Sequence, residues 1–116
     1  MRPETPKYLF DIREAVDRIV EFTRGLDLQR YLTDAMRRSA AERQFEIVGE
    51  ALAQMSRRDP ATAAEITAQA QIIAFRNLLI HGYSEVDSRV VWDVVTTQLP
   101  TLAREVTTLL DRADRQ

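Results

Sequence analysis

The sequence contains no cysteine and no long apolar run, and both absences narrow its class. Without cysteine the chain has neither a disulfide framework nor a thiolate nucleophile. No apolar stretch approaches the roughly 18 residues of a membrane-spanning helix, and the first ten residues lack the apolar segment of a secretory signal. We therefore expect a soluble cytoplasmic protein.

Glycine, proline, lysine and histidine are also scarce. Three glycines and four prolines in 116 residues leave most of the chain free to be helical. The net charge of −2 argues against a protein that coats nucleic acid without specificity, although a local basic cleft is compatible with it. The basic residues are arginine apart from Lys7, and the planar guanidinium can bind phosphate through two hydrogen bonds.

Apolar residues recur every three or four positions, which is the spacing of amphipathic helices. The first predicted helix starts at Thr5, its N-cap, and ends at Gly25. A short helical turn capped by Asp27 follows. A long helix then covers about residues 34–58 and is stopped by Asp59-Pro60.

The second half of the chain predicts two more long helices. Residues 61–71 are mostly small or polar, so we expect an exposed helix or turn there. Residues 71–81 are apolar on almost every side, which is typical of a buried helix. The last helix is capped by Asp87 and should be kinked or split at Pro100. No strand pattern is visible, so we predict one domain, residues 1–116, folded as an all-α up-and-down bundle of four to five helices.

The segment RNLLIHGY, residues 76–83, has two interpretations. By the first it ends a buried helix: Gly82 takes a left-handed backbone after the last helical residue, and Tyr83 packs back on Leu78. That interpretation leaves Arg76-Asn77 unexplained, because a buried arginine needs a partner or a cleft. By the second, the segment carries an active site at the end of a helix.

The residue types in this segment suit phosphoryl chemistry without a metal. Arg76 can stabilise the charge that develops on a phosphate, and histidine is the residue type best suited to move a proton to or from a ribose hydroxyl, a role open to His81. Five positions along a helix separate the two side chains by roughly 140°. They converge only if the helix ends near His81, or if a two-fold axis brings two copies of the motif together.

The same segment resembles the R-x4-H-x-Y motif of HepT-like toxins in the HEPN superfamily, with Arg76, His81 and Tyr83 at the three defining positions. ERQFEIVGEAL, residues 42–52, resembles the family's E-x-I-G-E-A segment. The run from Tyr83 to Val91-Trp92 and the sequence LPTL resemble two further family segments, so the resemblance extends over most of the chain.

The resemblance implies a homodimeric HEPN-like bundle with the two motifs at the interface. It also implies the toxin of a toxin–antitoxin pair, a metal-independent endoribonuclease that uses no cofactor and leaves a 2′,3′-cyclic phosphate on its RNA substrate. Arg76 and His81 would be catalytic, with Asn77 and Tyr83 in support. The antitoxin would be a small nucleotidyltransferase that adds AMP to Tyr83. The alternative is a non-catalytic adaptor that binds a nucleotide or the nucleotidyltransferase in the same cleft.

Glu46 and Glu50 lie four positions apart on the second long helix, and paired carboxylates can bind metal or transfer protons. The chain has a single histidine and no cluster of metal-ligand residues, so we expect no metal site. We predict instead that Glu50 supports the site by pairing with a buried arginine, either Arg43 or Arg76.

Two pairs of arginines and two aromatic residues also admit more than one interpretation. Arg37-Arg38 and Arg57-Arg58 could be basic patches that steer RNA, but solvated helix faces explain them more simply. Phe75 and Trp92 could stack on bases, but we expect them in the core or at the dimer interface.

Overall fold

The computed structural model describes residues 1–115, with the backbone alone of Tyr83, and within that part of the chain it contains helices and no strand. The α-helices of the described residues are α1 (Thr5–Thr23), α2 (Leu28–Thr33), α3 (Ala35–Arg58), α4 (Pro60–Ala63), α5 (Gln69–His81), α6 (Ser88–Asp93) and α7 (Leu99–Asp114). A 3-10 turn, Tyr83–Glu85, follows α5, and a π-helical turn, Val94–Gln98, joins α6 to α7.

The long elements run alternately up and down, which confirms the predicted all-α bundle. The start of α1 is hydrogen-bonded to the end of α3 through Thr5 and Asp59. Helix α5 runs antiparallel to α3, with the rings of Phe45 and Phe75 edge to face at 5.4 Å between centroids. Helix α7 covers the other side of α1. The apolar core therefore lies mainly where α1, α3 and α7 meet, and α5 forms an outer layer on α3.

Local capping signals fix most helix ends where the sequence predicts them. The side chain of Asp27 accepts a hydrogen bond from the N–H of Arg30 at 2.9 Å, and that of Asp34 accepts one from Arg37 at 3.0 Å. The side chain of Asp87 caps α6 in the same manner. After α1 the backbone turns at Gly25, whose φ of 78° lies in the left-handed region that glycine adopts without strain.

The predicted role of Thr5 as an N-cap is wrong. Glu4 precedes α1 without a side-chain cap, and the Thr5 hydroxyl instead donates a hydrogen bond to Oδ2 of Asp59 at 2.7 Å. The buried Asp59 carboxylate also accepts hydrogen bonds from the backbone N–H of Arg2 and from the N–H and hydroxyl of Thr62. Asp59 therefore caps α4 and ties the start of α1 to the end of α3.

The last long element is split ahead of Pro100, as predicted. Proline has no N–H to donate to the carbonyl four residues back, and the turn that precedes it, Val94–Gln98, widens to π-helical geometry. Two threonine hydroxyls in this turn bond back to the preceding turn, and the one on Thr97 donates to the Asp93 carbonyl at 2.7 Å.

Two burial predictions are wrong. Between residues 61 and 71 we expected exposure, but Thr62, Ala63 and Ile66 are buried. Helix α5 was expected to be buried on all sides, yet only Ile72 and Leu79 are buried in it. Apolar composition shows that a helix face favours burial, but it does not show whether the covering surface comes from the same chain.

None of the described helices combines the length and hydropathy that would be needed to cross a membrane.

Candidate active site

Helices α3 and α5 approach most closely where Gly49 faces Arg76. A Cβ atom added to Gly49 would overlap the Cβ of Arg76 and lie 2.6 Å from its Cγ. The absence of a side chain at Gly49 therefore allows the base of the Arg76 side chain to lie directly against α3. Sequence reasoning did not single out Gly49, although a glycine inside a helix costs about 1 kcal/mol relative to alanine, and so signals a local need for close packing.

Polar side chains hold the guanidinium of Arg76 on two sides. Its Nη2 donates to Oε2 of Glu50 in a short ion pair, and its Nη1 donates to Oδ1 of Asn77 at 2.8 Å. The other oxygen of Glu50 accepts a hydrogen bond from Nε2 of Gln54 at 3.0 Å. The arginine side chain is 23% exposed, so its position is fixed while one side still reaches solvent.

Of the two arginines considered as partners for Glu50, the structure pairs it with Arg76. Arg43 instead pairs with Glu46, its neighbour on α3, at 3.0 Å. The Glu50 carboxylate occupies a position at the Arg76 guanidinium that another anion such as a phosphate could take, because both accept charge-assisted hydrogen bonds from arginine. No group of three histidine, cysteine, aspartate or glutamate side chains in the described residues is arranged to hold a metal ion.

Arg76 lies on the wall of a cleft of about 300 Å³ between α1, α3 and α5. Ionisable and amide groups of all three helices line this cleft, together with a few apolar side chains. The lining residues are Lys7, Tyr8, Asp11, Arg43, Glu46, Ile47, Glu50, Ala51, Gln54, Arg76 and Ile80. We refer to this space as the Arg76 cleft.

His81 does not line the Arg76 cleft. It is the last residue of α5, exposed, and because the helix persists to this residue it lies roughly 140° around the axis from Arg76. Gly82 follows with φ −122° and ψ 33°, so the predicted left-handed conformation at this residue is wrong. Tyr83 begins the 3-10 turn, and its side chain, including the predicted packing on Leu78, lies outside the described part of the structure.

His81 lies at the C-terminal end of the outward, solvent-exposed face of α5. This outward face consists of exposed residues one or two turns apart: Ala70, Ala74, Asn77, Leu78 and His81. Leu78 is 39% exposed even though its side chain is fully apolar. One protomer therefore places Arg76 and His81 on different sides of the same helix.

The remaining sequence candidates lie away from the cleft. Trp92 packs against the buried Tyr31 with 5.2 Å between ring centroids, and Phe75 packs on Phe45, so both aromatic residues join the core as predicted. Burial raises the pKa of the Tyr31 hydroxyl, and the nearby Glu42 adds to this shift. Arg37 is paired with Asp34 at 3.4 Å on the surface.

Comparison with known proteins identifies the family. Residues 12–109 match the family described as "Ribonuclease HepT-like". The chain belongs to this family. Its predicted membership, and with it the predicted enzyme class of ribonuclease, is confirmed.

Three relatives show the extent of the similarity. A probable ribonuclease HepT of Thermococcus cleftensis is 35% identical over 102 residues, which is 88% of this chain and 92% of that protein. A protein named as a candidate RNase in Methanocaldococcus jannaschii is 30% identical over 99 residues, covering 85% and 90% of the two chains. Another in Caldanaerobacter subterraneus is 26% identical over 110 residues, covering 94% and 97%. No solved structure shows a significant match.

Proposed function

We propose that the protein is a metal-independent endoribonuclease whose active site forms between two copies of the chain, and that it acts in the cytoplasm as the toxin of a toxin–antitoxin pair. The observation that carries the proposal is the placement of Arg76 and His81 on different sides of α5. An isologous interface on the outward face would bring His81 of one copy toward the second copy's α5, because a two-fold axis sets the same patch against itself.

The outward face suits such an interface. Its small residues, Ala70 and Ala74, permit close approach of a second helix, and the exposed Leu78 offers an apolar anchor between them and His81. Burying an exposed leucine against a partner is favourable by about 25 cal/mol per Å² of apolar surface removed from water.

The proposed reaction needs only groups that the motif supplies. The ribose 2′-oxygen attacks the adjacent phosphorus and loses its proton to a base, the 5′-oxygen leaves and gains a proton, and a 2′,3′-cyclic phosphate remains. His81 serves as the general acid or base because an imidazole can both accept and donate a proton. Arg76 stabilises the additional charge on the phosphate oxygens, replacing its bond to Glu50 with bonds to the substrate.

Regulation is proposed at Tyr83. A small nucleotidyltransferase antitoxin would join the tyrosine oxygen to the α-phosphate of ATP and release pyrophosphate. Tyr83 follows α5 by two residues, so an attached AMP would place a negative charge and a bulky group beside the RNA site. The support for this step is the position of Tyr83 in the motif.

The test of the catalytic proposal compares wild type with His81→Ala on total RNA in EDTA. We expect new 2′,3′-cyclic phosphate ends from wild type alone, with both proteins showing the same helical circular dichroism. Equal cleavage by both proteins would remove His81 from the mechanism. No cleavage by either, from protein whose intact mass shows no AMP, would favour the non-catalytic adaptor.

The test of regulation is co-expression with the proposed nucleotidyltransferase antitoxin, followed by intact-mass measurement. We expect a mass gain of one or more AMP units in wild type and none in Tyr83→Phe. Silencing of the ribonuclease with no mass gain would instead indicate that the antitoxin blocks the site by binding alone.

A further inference from the structure

The Arg76 cleft has three kinds of surface: apolar side chains, hydrogen-bond acceptors and cations. The R-x4-H-x-Y motif accounts only for Arg76, one of the cations. Apart from Arg76 and Glu50, one part of its lining is apolar, made by Ile47, Ala51 and Ile80 together with Tyr8. A cavity of about 300 Å³ lies at the lower end of the range for small-molecule pockets, so it suits a group no larger than one nucleoside. Tyr8 and the aliphatic side chains offer a flat heteroaromatic ring an apolar surface.

Hydrogen-bond acceptors form the second kind of surface. Glu46 is 24% exposed, and one of its carboxylate oxygens accepts from Arg43 while the other has no partner among the described residues. The carbonyl oxygen of Gln54 is likewise not engaged by any described residue, since its amide nitrogen is the atom that donates to Glu50. Asp11 adds a second carboxylate, 3.9 Å from the Lys7 ammonium.

Cations stand at the mouth of the cleft and form the third kind of surface. The side chains of Lys7 and Arg43 are 80% and 67% exposed, much more than the acceptors they accompany. Groups placed in this way can reach phosphates that flank a bound nucleoside while the acceptors face its base. The cleft therefore presents two phosphate donors, Lys7 and Arg43, at its mouth, whereas Arg76 and the acceptor Glu46 lie further in.

We propose that the Arg76 cleft is a subsite for an unpaired RNA base that carries an exocyclic amino group, adjacent to the phosphate bound by Arg76. Glu46 accepts hydrogen bonds from the amino group of adenine, cytosine or guanine, as carboxylates do from cytosine N4. Uracil presents one N–H between two carbonyl oxygens, and those oxygens would face carboxylates. This inference rests on the proposed ribonuclease function and adds a base preference to it.

The experiment measures binding separately from cleavage. Fluorescein-labelled oligodeoxynucleotides of eight adenines, cytosines or uracils lack the 2′-hydroxyl, so the proposed reaction cannot cut them. Anisotropy titrations of the full-length protein should show the adenine and cytosine strands bound about tenfold more tightly than the uracil strand, the discrimination expected from one good base contact. In Glu46→Ala, which removes the acceptor altogether, the ratio should fall below about twofold.

Glu14→Ala is the matched control. Glu14 also forms an exposed helical ion pair, with Arg18 at 2.9 Å, but it lies outside the cleft. Both variants remove one negative charge, so both should raise affinity for all strands alike, and only Glu46→Ala should change the ratio between them. Thermal unfolding of both variants should match wild type.

The outcomes separate the subsite from the catalytic proposal. Equal affinity for all three strands in wild type, no binding to any of them, or an unchanged ratio in Glu46→Ala would overturn the subsite. RNA cleavage in EDTA by the same preparations decides the function independently. Cleavage without base preference would support the ribonuclease function and refute the subsite. Base preference without cleavage would support the subsite and refute the ribonuclease function.

Discussion

At the scale of single residues, the site depends on how one arginine is held. Arg76 contacts Glu50 on α3 and Asn77 on its own helix, and its stem lies against Gly49. Two of these three contacts involve residues more than 25 positions away in sequence. The positive charge of Arg76 therefore comes with the residue type, whereas the orientation of its guanidinium is set by the neighbouring residues.

Replacing Arg76 by lysine tests this distinction. Lysine keeps the positive charge, but its single ammonium cannot bond to two partners in one plane as the guanidinium does. We expect Arg76→Lys to lower the rate of RNA cleavage by about a hundredfold, the effect of removing one donor that stabilises a transition state. The measurement is single-turnover cleavage of a defined RNA, with the urea midpoint as the control for folding. A rate within a few-fold of wild type would show that charge alone suffices.

Replacing Gly49 by alanine tests the close approach of α3 and α5. The added methyl group overlaps the stem of Arg76, and overpacking of this kind costs about 1–3 kcal/mol, against a gain of about 1 kcal/mol for removing glycine from a helix. We expect a lower urea midpoint together with loss of RNA cleavage, because α5 must move.

Gly82→Ala is the companion variant for Gly49→Ala. Its new Cβ would meet Leu78, whose flexible Cδ1 stands 3.0 Å away, and the backbone at Gly82 already has a negative φ. This variant should unfold closer to the wild-type midpoint. If Gly49→Ala were the more stable of the two, the close contact would not constrain the helices.

At the scale of helices, Asp59 connects three elements through one buried carboxylate. Burial alone would raise its pKa, but the hydrogen bonds from Arg2, Thr5 and Thr62 hold the pKa well below its usual range. A depressed pKa means that the ionised form stabilises the fold. This stabilisation is complete above the ordinary pKa of about 3.9 and disappears as the pH falls toward the lower folded value.

Asp59→Asn should therefore be less stable than wild type at pH 7, by about 1.5–3 kcal/mol, the usual contribution of hydrogen bonds to a charged group. The difference should shrink as the pH falls below about 4. Urea unfolding at pH 7, 5 and 3 measures it. A difference that stayed constant across this range would show that the charge on Asp59 contributes nothing to stability.

At the scale of the whole molecule, the proposed site is shared by two copies of the chain that meet through the outward face of α5. Leu78→Glu places a charge on that face. We expect wild type to sediment as a dimer and Leu78→Glu as a monomer, with RNA cleavage lost. Val20→Glu is the control, since Val20 is 42% exposed but lies in a groove formed with α7. A Leu78→Glu protein that stayed dimeric would move the interface elsewhere.

A mixing experiment tests whether Arg76 and His81 act across the interface. Arg76→Ala and His81→Ala proteins should each be inactive. After the two are unfolded and refolded together, mixed dimers contain one intact site if the site combines Arg76 of one copy with His81 of the other. We expect roughly a quarter of wild-type activity, because about half of the dimers are mixed and each has one of two sites intact. No recovery would place both residues in the same copy's site.

The sequence by itself determined the features that are encoded within a few residues. Caps such as Asp27 and Asp87 and the repeat of apolar positions predicted the helix bounds, because capping and amphipathicity act over one or two turns. The R-x4-H-x-Y motif likewise indicated the family, since its three residues are close in the chain. The role of Thr5 was not predicted correctly, because its hydrogen-bond partner, Asp59, is 54 positions away and local patterns extend over only one or two turns.

The tertiary structure decided everything that depends on which surfaces meet. Sequence left Arg43 and Arg76 as equal partners for Glu50, and packing of α5 on α3 selected Arg76. Sequence also described residues 71–81 as a buried helix, whereas the fold covers one side of α5 and leaves His81 on the other. Helical periodicity shows that a side chain favours burial, but only the positions of the other helices determine what covers it.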